Sequence, residues 1–403
     1  MKSAPDLVIV GAGLAGLGLA AALVKTPLTV RVLSREALPL PPADDEPLRL
    51  RVSTLSVGVI RALQRLGVWP LLNETRLGRL HRMRVWEDGS ELCYDSATIG
   101  AAELGRVVEN DALVTALAAH CAAAPNVQID TGANLAEVQQ QGGERTQRVG
   151  LHLDDGTHLV TRLLVGADGG ESVVRRLAGI NAWHEAYGQM AVVANIITER
   201  PNPHEALQRF LPDGPLALLP LPGGASALVW STHPEHAAHL CDMDDSAFCA
   251  VLQEASERRL GAVCSVGPRR RFTLRRLAAT RYVANRIALV GDAAHVVHPL
   301  AGLGANLALE DAFALAELLA AHSGDPGDSA LLRRYERWRQ SQNAPVTAVI
   351  HGLNRLFRDP GQVTGAVRRG GLALINRLPG AKAFFMAHAC GVAGDLPRLM
   401  RQP

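Results

Sequence analysis

Residues 6–16 read DLVIVGAGLAG, a β-branched apolar run that meets a glycine-rich turn. A helix of small residues and leucines follows the turn, and residues 28–33 (LTVRVL) return to the pattern of a buried strand. Strand, turn, helix and second strand together span roughly thirty residues, which is the length of a βαβ unit. The stretch therefore predicts a mononucleotide-binding half of an α/β sheet.

The three glycines of this turn have separate tasks in a dinucleotide site. Gly11 allows the sharp turn, Gly13 removes the Cβ that would collide with a pyrophosphate, and Gly16 lets helix and strand pack closely. The phosphates are then expected at the helix N-terminus. Ser34, followed by Arg35, stands where the ribose-binding acid is usual, and a hydroxyl lacks the bidentate grip of a carboxylate.

Length and composition exclude several classes of protein. At 403 residues the chain is longer than one ordinary domain, and 41 basic against 39 acidic residues give no overall nucleic-acid footprint. The six cysteines form no C-x-x-C pair, which indicates reduced thiols in a cytoplasmic protein. We expect no secretory signal and no transmembrane helix. Residues 333–403 nevertheless carry a formal charge of +9.

The remaining patterns predict a second sheet and further helices. Apolar spacing predicts a helix over residues 53–66, and D-G turns at residues 88–89 and 155–156 predict two hairpins. Apolar strands are expected over residues 190–198 and 216–230, and a long helix over about 304–321. The tail after residue 330 is expected to be helical, with breaks at Pro345, Pro360 and Pro379.

Two later motifs narrow the type of nucleotide site. Residues 165–175 read VGADGGESVVR, and residues 289–306 read LVGDAAHVVHPLAGLGAN. With the N-terminal glycines, these segments resemble the three fingerprints of flavin-dependent aromatic hydroxylases of the p-hydroxybenzoate hydroxylase type. Residues 50–53 (LRVS), 83–86 (MRVW) and 298–302 (HPLAG) are similar to the ubiquinone-biosynthesis hydroxylases, the UbiH/UbiF/VisC group. That resemblance runs from about residue 5 to 400.

The resemblance implies FAD as the cofactor and assigns residues to it. Asp292 is expected to bind the ribitol or ribose hydroxyls, although it could instead cap a turn. The start of the long helix is expected to direct its N–H groups at the N1–C2 edge of the flavin. The cofactor-binding residues implied in this way or by the first motif are Gly11, Gly13, Gly16, Ser34, Arg35, Arg51, Asn110, Asp168, Gly291, Asp292, Pro299, Gly302, Gly304, Ala305 and Asn306.

Some of these assignments have a simpler alternative. Arg51 could be a solvated surface arginine, and Arg175 in the second motif could pair with Glu171 across one helix turn. Leu303 stands where the resembling hydroxylases have a glutamine, so a polar group near the expected flavin is missing. We expect no metal site.

If FAD is bound, the cofactor supplies most of the chemistry. Reduced flavin reacts with O₂ at C4a, and the C4a-hydroperoxyflavin transfers an electrophilic oxygen to an electron-rich ring. NAD(P)H is the expected reductant, although no second dinucleotide fingerprint is present. Residues expected to line the substrate are Tyr187, Gln189, Leu218 and Pro220. The sequence identifies no catalytic base.

The fold expected from residues and resemblance together is α/β. A Rossmann-like FAD-binding domain (residues 1–75, 100–180 and 276–330) is interleaved with a mixed β-sheet substrate domain (76–99 and 181–275), and C-terminal helices follow (331–403). The expected function is FAD-dependent hydroxylation of the aromatic ring of a prenylated ubiquinone precursor. A hydroxylase of a soluble phenol and a non-catalytic scaffold of a quinone-synthesis complex are the alternatives.

The expected partners are a prenylated phenol or quinol and O₂. Because a prenylated substrate dissolves in membranes, the basic tail, with Phe357, Phe384, Phe385 and Met386, is one candidate for peripheral contact with the inner membrane. Another candidate partner is a ubiquinone-synthesis complex. The simpler interpretation of the tail is that its helices pack on the FAD-binding domain with their arginines facing solvent.

Overall fold

The structure is a computed structural model that describes residues 4–87, 89–142, 147–299, 302–358 and 390–402. Its helices are α1 (Leu14–Leu23), α2 (Val57–Leu66), α3 (Asn110–Ala122), α4 (Val173–Leu177), α5 (Pro234–Asp242), α6 (Asp245–Ala255), α7 (Gly304–Ala321) and α8 (Ser329–Arg358). Its strands are β1 (Leu7–Val10), β2 (Val30–Ser34), β3 (Val52–Ser56), β4 (Gly78–Leu80), β5 (Arg82–Glu87), β6 (Ser90–Asp95), β7 (Gly105–Glu109), β8 (Val127–Thr131), β9 (Leu135–Gln141), β10 (Arg148–Leu153), β11 (His158–Thr161), β12 (Leu163–Gly166), β13 (Ala182–Thr198), β14 (Glu205–Leu211), β15 (Gly214–Pro220), β16 (Ser226–Thr232), β17 (Val263–Val266), β18 (Arg270–Ala279), β19 (Val283–Ala284), β20 (Ile287–Leu289) and β21 (His295–Val296).

The first sheet is the one that the N-terminal stretch predicts. Its order is β19-β20-β12-β1-β2-β8, and all neighbours except β19 and β20 are parallel. Helices α1, α3 and α7 pack in the same core, so β1 is fully buried on both faces, which explains its unbroken apolar run. The three motifs follow β1, β12 and β20, three neighbouring strands, at their carboxyl ends.

The second sheet has nine strands in the order β21-β18-β13-β16-β15-β14-β5-β6, with β17 paired to β13. Helices α5 and α6 cover what we call its outer face, where Trp86, Leu218 and Trp230 form a core with Phe248 and Leu240. The opposite, inner face packs against β3, β7, α8 and the third motif. This interleaving of two sheets confirms the predicted fold class, whereas the domain boundaries remain a prediction.

The predicted helix over residues 53–66 is wrong in its first turn. Residues 53–56 belong to β3, which pairs with β7, and α2 begins only at Val57. The Ser56 side chain caps α2 by accepting a hydrogen bond from Val59 N–H, and Gly67 ends the helix in a left-handed conformation, as Gly commonly does. The apolar spacing continues through the strand, so spacing alone did not mark the start of the helix.

The predicted break at Pro345 does not occur, because α8 continues through it. Buried Arg339 and Asn343 hold the helix before the proline, and Val346 and Ile350 pack on the second sheet after it. Tertiary contacts on both sides thus offset the lost amide hydrogen bond. Pro360 and Pro379 lie outside the described residues, as do Phe384, Phe385, Met386 and the side chain of Phe357.

The end of the chain folds back onto α2. Arg61 donates a hydrogen bond to the Met400 carbonyl at 2.8 Å, and Arg65 donates to the Arg398 carbonyl at 2.7 Å. The side chain of Arg398 is itself 79% exposed, whereas Arg339 of the same tail is buried, so the arginines of the tail do not all face solvent. Among the described residues, no helix combines the length and the apolar character needed to cross a membrane.

Candidate functional site

The first glycine turn is shaped by close backbone contacts. Gly11 has φ of +111°, and a Cβ placed on it would lie 2.2 Å from the Ala167 carbonyl oxygen of the second motif. A Cβ on Gly16 would lie 1.9 Å from the Gly11 carbonyl oxygen. A Cβ on Gly13 would meet no protein atom within 4 Å. Gly11 and Gly16 are therefore required by packing, whereas the space over Gly13 is open to a ligand.

Residues of the first and second motifs both contact the third motif. A Cβ on Gly291 would lie 3.0 Å from the Cβ atoms of Ala15 in α1 and Ala308 in α7. The Arg175 guanidinium, which is buried, donates to the carbonyls of Gly170 and Ala293 at 2.8 Å each and so joins the second motif to the third. The hypothesis that Arg175 pairs with Glu171 is wrong, because Glu171 pairs with Arg275.

Asp292 lies in the cleft at this junction. Its side chain is accessible to solvent, yet protein surrounds it closely enough that desolvation raises the pKa of its carboxyl above the usual range. His295, Arg51 and Arg275 partly offset that effect through their positive charge. An accessible carboxylate can accept hydrogen bonds from the hydroxyls of a ligand.

A buried polar network, which the sequence analysis missed, supports the turn that carries Asp292. The fully buried Asp311 carboxylate accepts hydrogen bonds from Gly291 N–H at 3.0 Å, His295 at 2.6 Å, Arg339 at 2.7 Å and Asn343 at 3.0 Å. Burial would raise the pKa of Asp311, but the charges of His295 and Arg339 and the hydrogen bonds from His295 and Asn343 hold it well below its usual range. The sequence signal that could have revealed this network is that Asp311 lies on the same face of α7 as the apolar residues Leu307 and Leu315.

The N-terminus of α7 faces the same region. Asn306 donates to the Thr54 carbonyl at 2.8 Å and accepts from Ser56 N–H at 2.8 Å, which fixes α7 against β3. Its side chain is thereby occupied within the protein. Pro299, Gly302, Gly304 and Ala305 are partly accessible, and the first amides of a helix have no acceptor within it.

Two other predicted residues sit at the end of β2 and make local contacts. The Ser34 hydroxyl donates to the Glu36 carbonyl at 2.7 Å, and the Arg35 side chain, 75% exposed, lies 3.5 Å from the Glu36 carboxylate. Neither side chain is held in the cleft.

Arg51, Asn110 and Asp168 differ in how free their polar groups are. Arg51 is exposed and acts on Asp292 through its charge, as noted above. Asn110 accepts a hydrogen bond from the Ser53 hydroxyl at 2.7 Å. Asp168 accepts from the N–H groups of Val173 and Val174 at 2.7 and 3.1 Å, so its carboxylate caps α4.

The predicted substrate-lining residues fall on both faces of the second sheet. Tyr187 is buried with its ring edge-on to the His298 ring, whose centroid lies 5.0 Å away, and it packs in an inner cluster with Ala191. Gln189 donates to the Asp213 carbonyl at 2.7 Å. Leu218 packs under α5 and α6, so its assignment to the substrate wall is wrong.

Pro220 shares the error made for Leu218. It lies two residues along β15 from Leu218 and therefore on the same outer face. The neighbours on the inner face are Ala217 and Leu219, both partly accessible. The alternation of side chains along the strand is visible in the sequence, but it does not show which of the two alternating sets faces the cleft.

Leu303 joins the third motif to this inner face. It packs, with Val297, against Val85, Phe210 and Ile350, where the second sheet, the third motif and α8 come together. The site therefore combines the open glycine turn at Gly13, the accessible carboxylate of Asp292 and the N-terminus of α7 with an apolar wall. Such an arrangement fits a dinucleotide with an apolar substrate beside it. Among the described residues, no three His, Cys, Asp or Glu side chains are placed to hold a metal.

Comparison with known sequences gives matches along nearly the whole chain. Residues 5–348 match the family described as FAD binding domain. A ubiquinone hydroxylase, UbiL, of Rhodospirillum rubrum is 36% identical, with 98% of this chain and 92% of the relative covered. The mitochondrial ubiquinone biosynthesis monooxygenase COQ6 of Xenopus tropicalis is 34% identical, with 95% and 93% covered.

Solved structures agree on the fold. The p-nitrophenol 4-monooxygenase PnpA of Pseudomonas putida superposes with a TM-score of 0.75 at 18% identity, covering 96% of this chain and 98% of that one. An aklavinone-11 hydroxylase solved with FAD and aklavinone gives a TM-score of 0.68 at 23% identity, covering 88% and 70%. At these identities the likeness concerns the fold alone.

Proposed function

This chain belongs to the FAD binding domain family, and we propose that it hydroxylates the aromatic ring of a prenylated ubiquinone precursor. It is an FAD-dependent monooxygenase whose relatives include the ubiquinone hydroxylase and COQ6. Its substrates on this proposal are a prenylated phenol or quinol and O₂, with NAD(P)H as the reductant.

One observation carries the proposal: the three motifs meet at the carboxyl ends of β1, β12 and β20. Gly291 packs between α1 and α7, and Arg175 links Gly170 to Ala293. The open face of Gly13 and the accessible Asp292 are thus parts of one region of the fold. Ligands of open α/β sheets bind at this edge.

We assign the cofactor contacts to groups that are accessible and are not already occupied by hydrogen bonds within the protein. The Gly13 turn and the α1 N-terminus would receive the pyrophosphate, and Asp292 would accept hydrogen bonds from ribityl or ribose hydroxyls. The amides of Gly304 and Ala305 would face the flavin ring. Among the other expected residues, Ser34, Asp168 and Asn306 would act through backbone or by shaping the turn, since their side chains already bind protein groups.

Bound FAD would supply the redox chemistry that activates O₂ for transfer to an aromatic ring. The positive end of α7 would stabilise negative charge that develops beside Gly304. The inner face of the second sheet would exclude water and position the ring, with Leu303 and Val297 closest to the motif. Tyr187, packed against His298, is one polar ring on this face that could contact a phenolic hydroxyl.

The prenylated substrate also suggests where the enzyme works. We include in the proposal a peripheral contact between the basic tail, residues 333–403, and an anionic membrane, because each surface-proximal arginine contributes about 1 kcal/mol there. The described part of that tail keeps exposed arginines such as Arg398.

The test is direct turnover. Purified protein with FAD, NAD(P)H and a prenylated phenol is expected to add one oxygen atom to the ring, detected by mass spectrometry, and that atom should derive from labelled O₂. A protein that consumes NAD(P)H without oxygenating either the prenylated or the prenyl-free phenol would contradict the proposal.

A further inference from the structure

A cavity of about 550 Å³ opens beside α2, between the loop of residues 100–103 and the C-terminal residues 390–402. None of its lining residues belongs to the set assigned to the cofactor. Its apolar lining comprises Val57, Ile60, Ala101, Ala102, Cys390 and Val392. The volume lies within the range of about 300–1,000 Å³ that is typical of small-molecule pockets.

The polar residues at this cavity already have partners or lie at its rim. Arg61 donates to the Met400 carbonyl, and Glu103 accepts from Arg106 at 2.6 Å. Gln64 and Gln402 are exposed to solvent. Burial raises the pKa of the Cys390 thiol to about 11, as an apolar environment does. The surface left for a ligand is therefore mainly apolar.

Two lining residues of the cavity pack against the inner face of the second sheet. Cys390 and Val392 pack in one cluster with Met83, Tyr94 and Leu219, all of which project from that face. The cluster thus joins the wall of the cavity to strands β5, β6 and β15.

The same inner face leads on to the third motif. Met83 and Tyr94 also pack in the cluster that contains Val297 and Leu303. The linking residues are partly accessible rather than fully buried, unlike the core of the outer face. A series of packed, partly accessible apolar side chains consequently links the cavity wall to Leu303, beside the helix N-terminus that is proposed to face the flavin.

We propose that this cavity binds the prenyl tail of the substrate while its aromatic ring lies beside Leu303. The proposal rests on the function proposed above and assigns the tail a separate subsite. The binding free energy of an apolar chain grows with the surface that it removes from water, and the side chains that link the cavity wall to Leu303 are mainly apolar. Leu303 extends that apolar contact to the end nearest the reacting ring.

The test fills the cavity and compares two ligands. Ala101→Trp places a large side chain in the cavity, and Ala97→Trp, at an exposed position of the same loop region but outside the lining, is the matched control. Binding of a phenol with a four-unit prenyl chain, and of the same phenol without it, is measured on the oxidised holoenzyme by calorimetry and is followed by turnover. Val392→Trp repeats the test from the opposite wall if Ala101→Trp lowers the yield of folded protein.

We expect Ala101→Trp to weaken binding of the prenylated phenol about tenfold or more and to leave the prenyl-free phenol unchanged. Ala97→Trp should change neither. If the wild type prefers the prenylated phenol and the cavity-filling variants keep that preference, the tail binds elsewhere and the inference is overturned. If the preference is lost in the variants but no ring is oxygenated by the wild type, the cavity is supported and only the proposed reaction fails.

Discussion

The Asp311 carboxylate accepts a hydrogen bond from the Gly291 amide over 3.0 Å, from a position twenty residues further along the chain. Gly291 precedes Asp292, the accessible acid of the cleft, and Asp311 is itself bound to Arg339 in α8. The turn that carries Asp292 is thus held from below by a buried ion pair that links α7 to α8. Helix α8 is therefore part of the support of the cofactor site.

Asp311→Asn should lower both stability and FAD affinity. The substitution removes the negative charge that neutralises buried Arg339. Removing one partner of a buried ion pair lowers the free energy of unfolding by about 3–5 kcal/mol. Urea unfolding followed by fluorescence measures that loss, and FAD titration of the apoprotein measures the effect on the site. Glu36→Gln, at a pair whose carboxylate is 82% exposed, is the control and should stay within about 0.5 kcal/mol of the wild type.

The loss of stability in Asp311→Asn should also depend on pH in a defined direction. The folded-state pKa of Asp311 is lowered, so its stabilising contribution is complete above the unfolded value of about 3.9 and is lost as the pH falls through the folded value. The difference in unfolding free energy between wild type and Asp311→Asn should contain the full contribution of the Asp311 carboxylate above about pH 4. It should shrink below about pH 4. A difference that grows on acidification would mean that Asp311 is not held ionised.

Arg175→Met should weaken FAD binding without unfolding the protein. The substitution keeps much of the side-chain volume but removes both hydrogen bonds that join Gly170 to Ala293, each worth about 1.5–3 kcal/mol for a charged donor. We expect FAD affinity to fall at least tenfold in a fluorescence titration. Arg176→Met, whose arginine is exposed, is the neighbouring control; equal FAD affinities in the two variants would contradict the bridging role of Arg175.

Thiol reactivity should separate exposed from buried cysteines. Burial raises the pKa of Cys121 to about 12 and that of Cys390 to about 11, so neither forms a thiolate at pH 8 in the folded protein. A thiol reagent at that pH should label exposed Cys264 first, label Cys390 in the cavity wall slowly, and reach Cys121 only on unfolding. Rapid labelling of Cys121 in folded protein, identified by peptide mass spectrometry, would show that the core around α3 is open.

Vesicle flotation tests the proposed membrane contact. The full-length protein should bind vesicles that contain anionic lipid and remain unbound with zwitterionic vesicles, and added salt should release it, because the attraction is electrostatic. Replacing Arg398 and Arg401, both exposed, with Gln should reduce the bound fraction. Binding that is indifferent to lipid charge would contradict a role for the basic tail.

Local sequence patterns predicted the elements that local chemistry determines. The turn at Gly11, the helix α7 from Gly304 and the two hairpins appear where the residues indicated. These features depend on neighbours a few residues away. Helix α2 was placed too early because β3 continues the same apolar spacing into Ser56, where the capping hydroxyl marks the true start.

Features that depend on distant residues could not be derived in the same way. The partners of Asp311 lie on α8 and in the third motif, and no spacing rule joins them. Likewise the alternation along β15 was visible, but whether Leu218 or Leu219 faces the cleft depends on which side α5 and α6 cover. The sequence did reveal Leu303 as a departure from the resembling hydroxylases. Its apolar contacts, however, come from residues distant in sequence and depend on the fold.

FAD titration of the Gly13→Ala apoprotein tests the central claim, that the three motifs hold one FAD, most directly. The added methyl meets no protein atom within 4 Å at an ordinary φ of −85°, so the variant should fold with the wild-type unfolding midpoint, unlike Gly16→Ala, whose methyl would lie 1.9 Å from a carbonyl oxygen. We predict that FAD affinity nevertheless falls at least tenfold, since the methyl would occupy the place of the pyrophosphate. FAD bound as tightly by Gly13→Ala as by the wild type would contradict the claim.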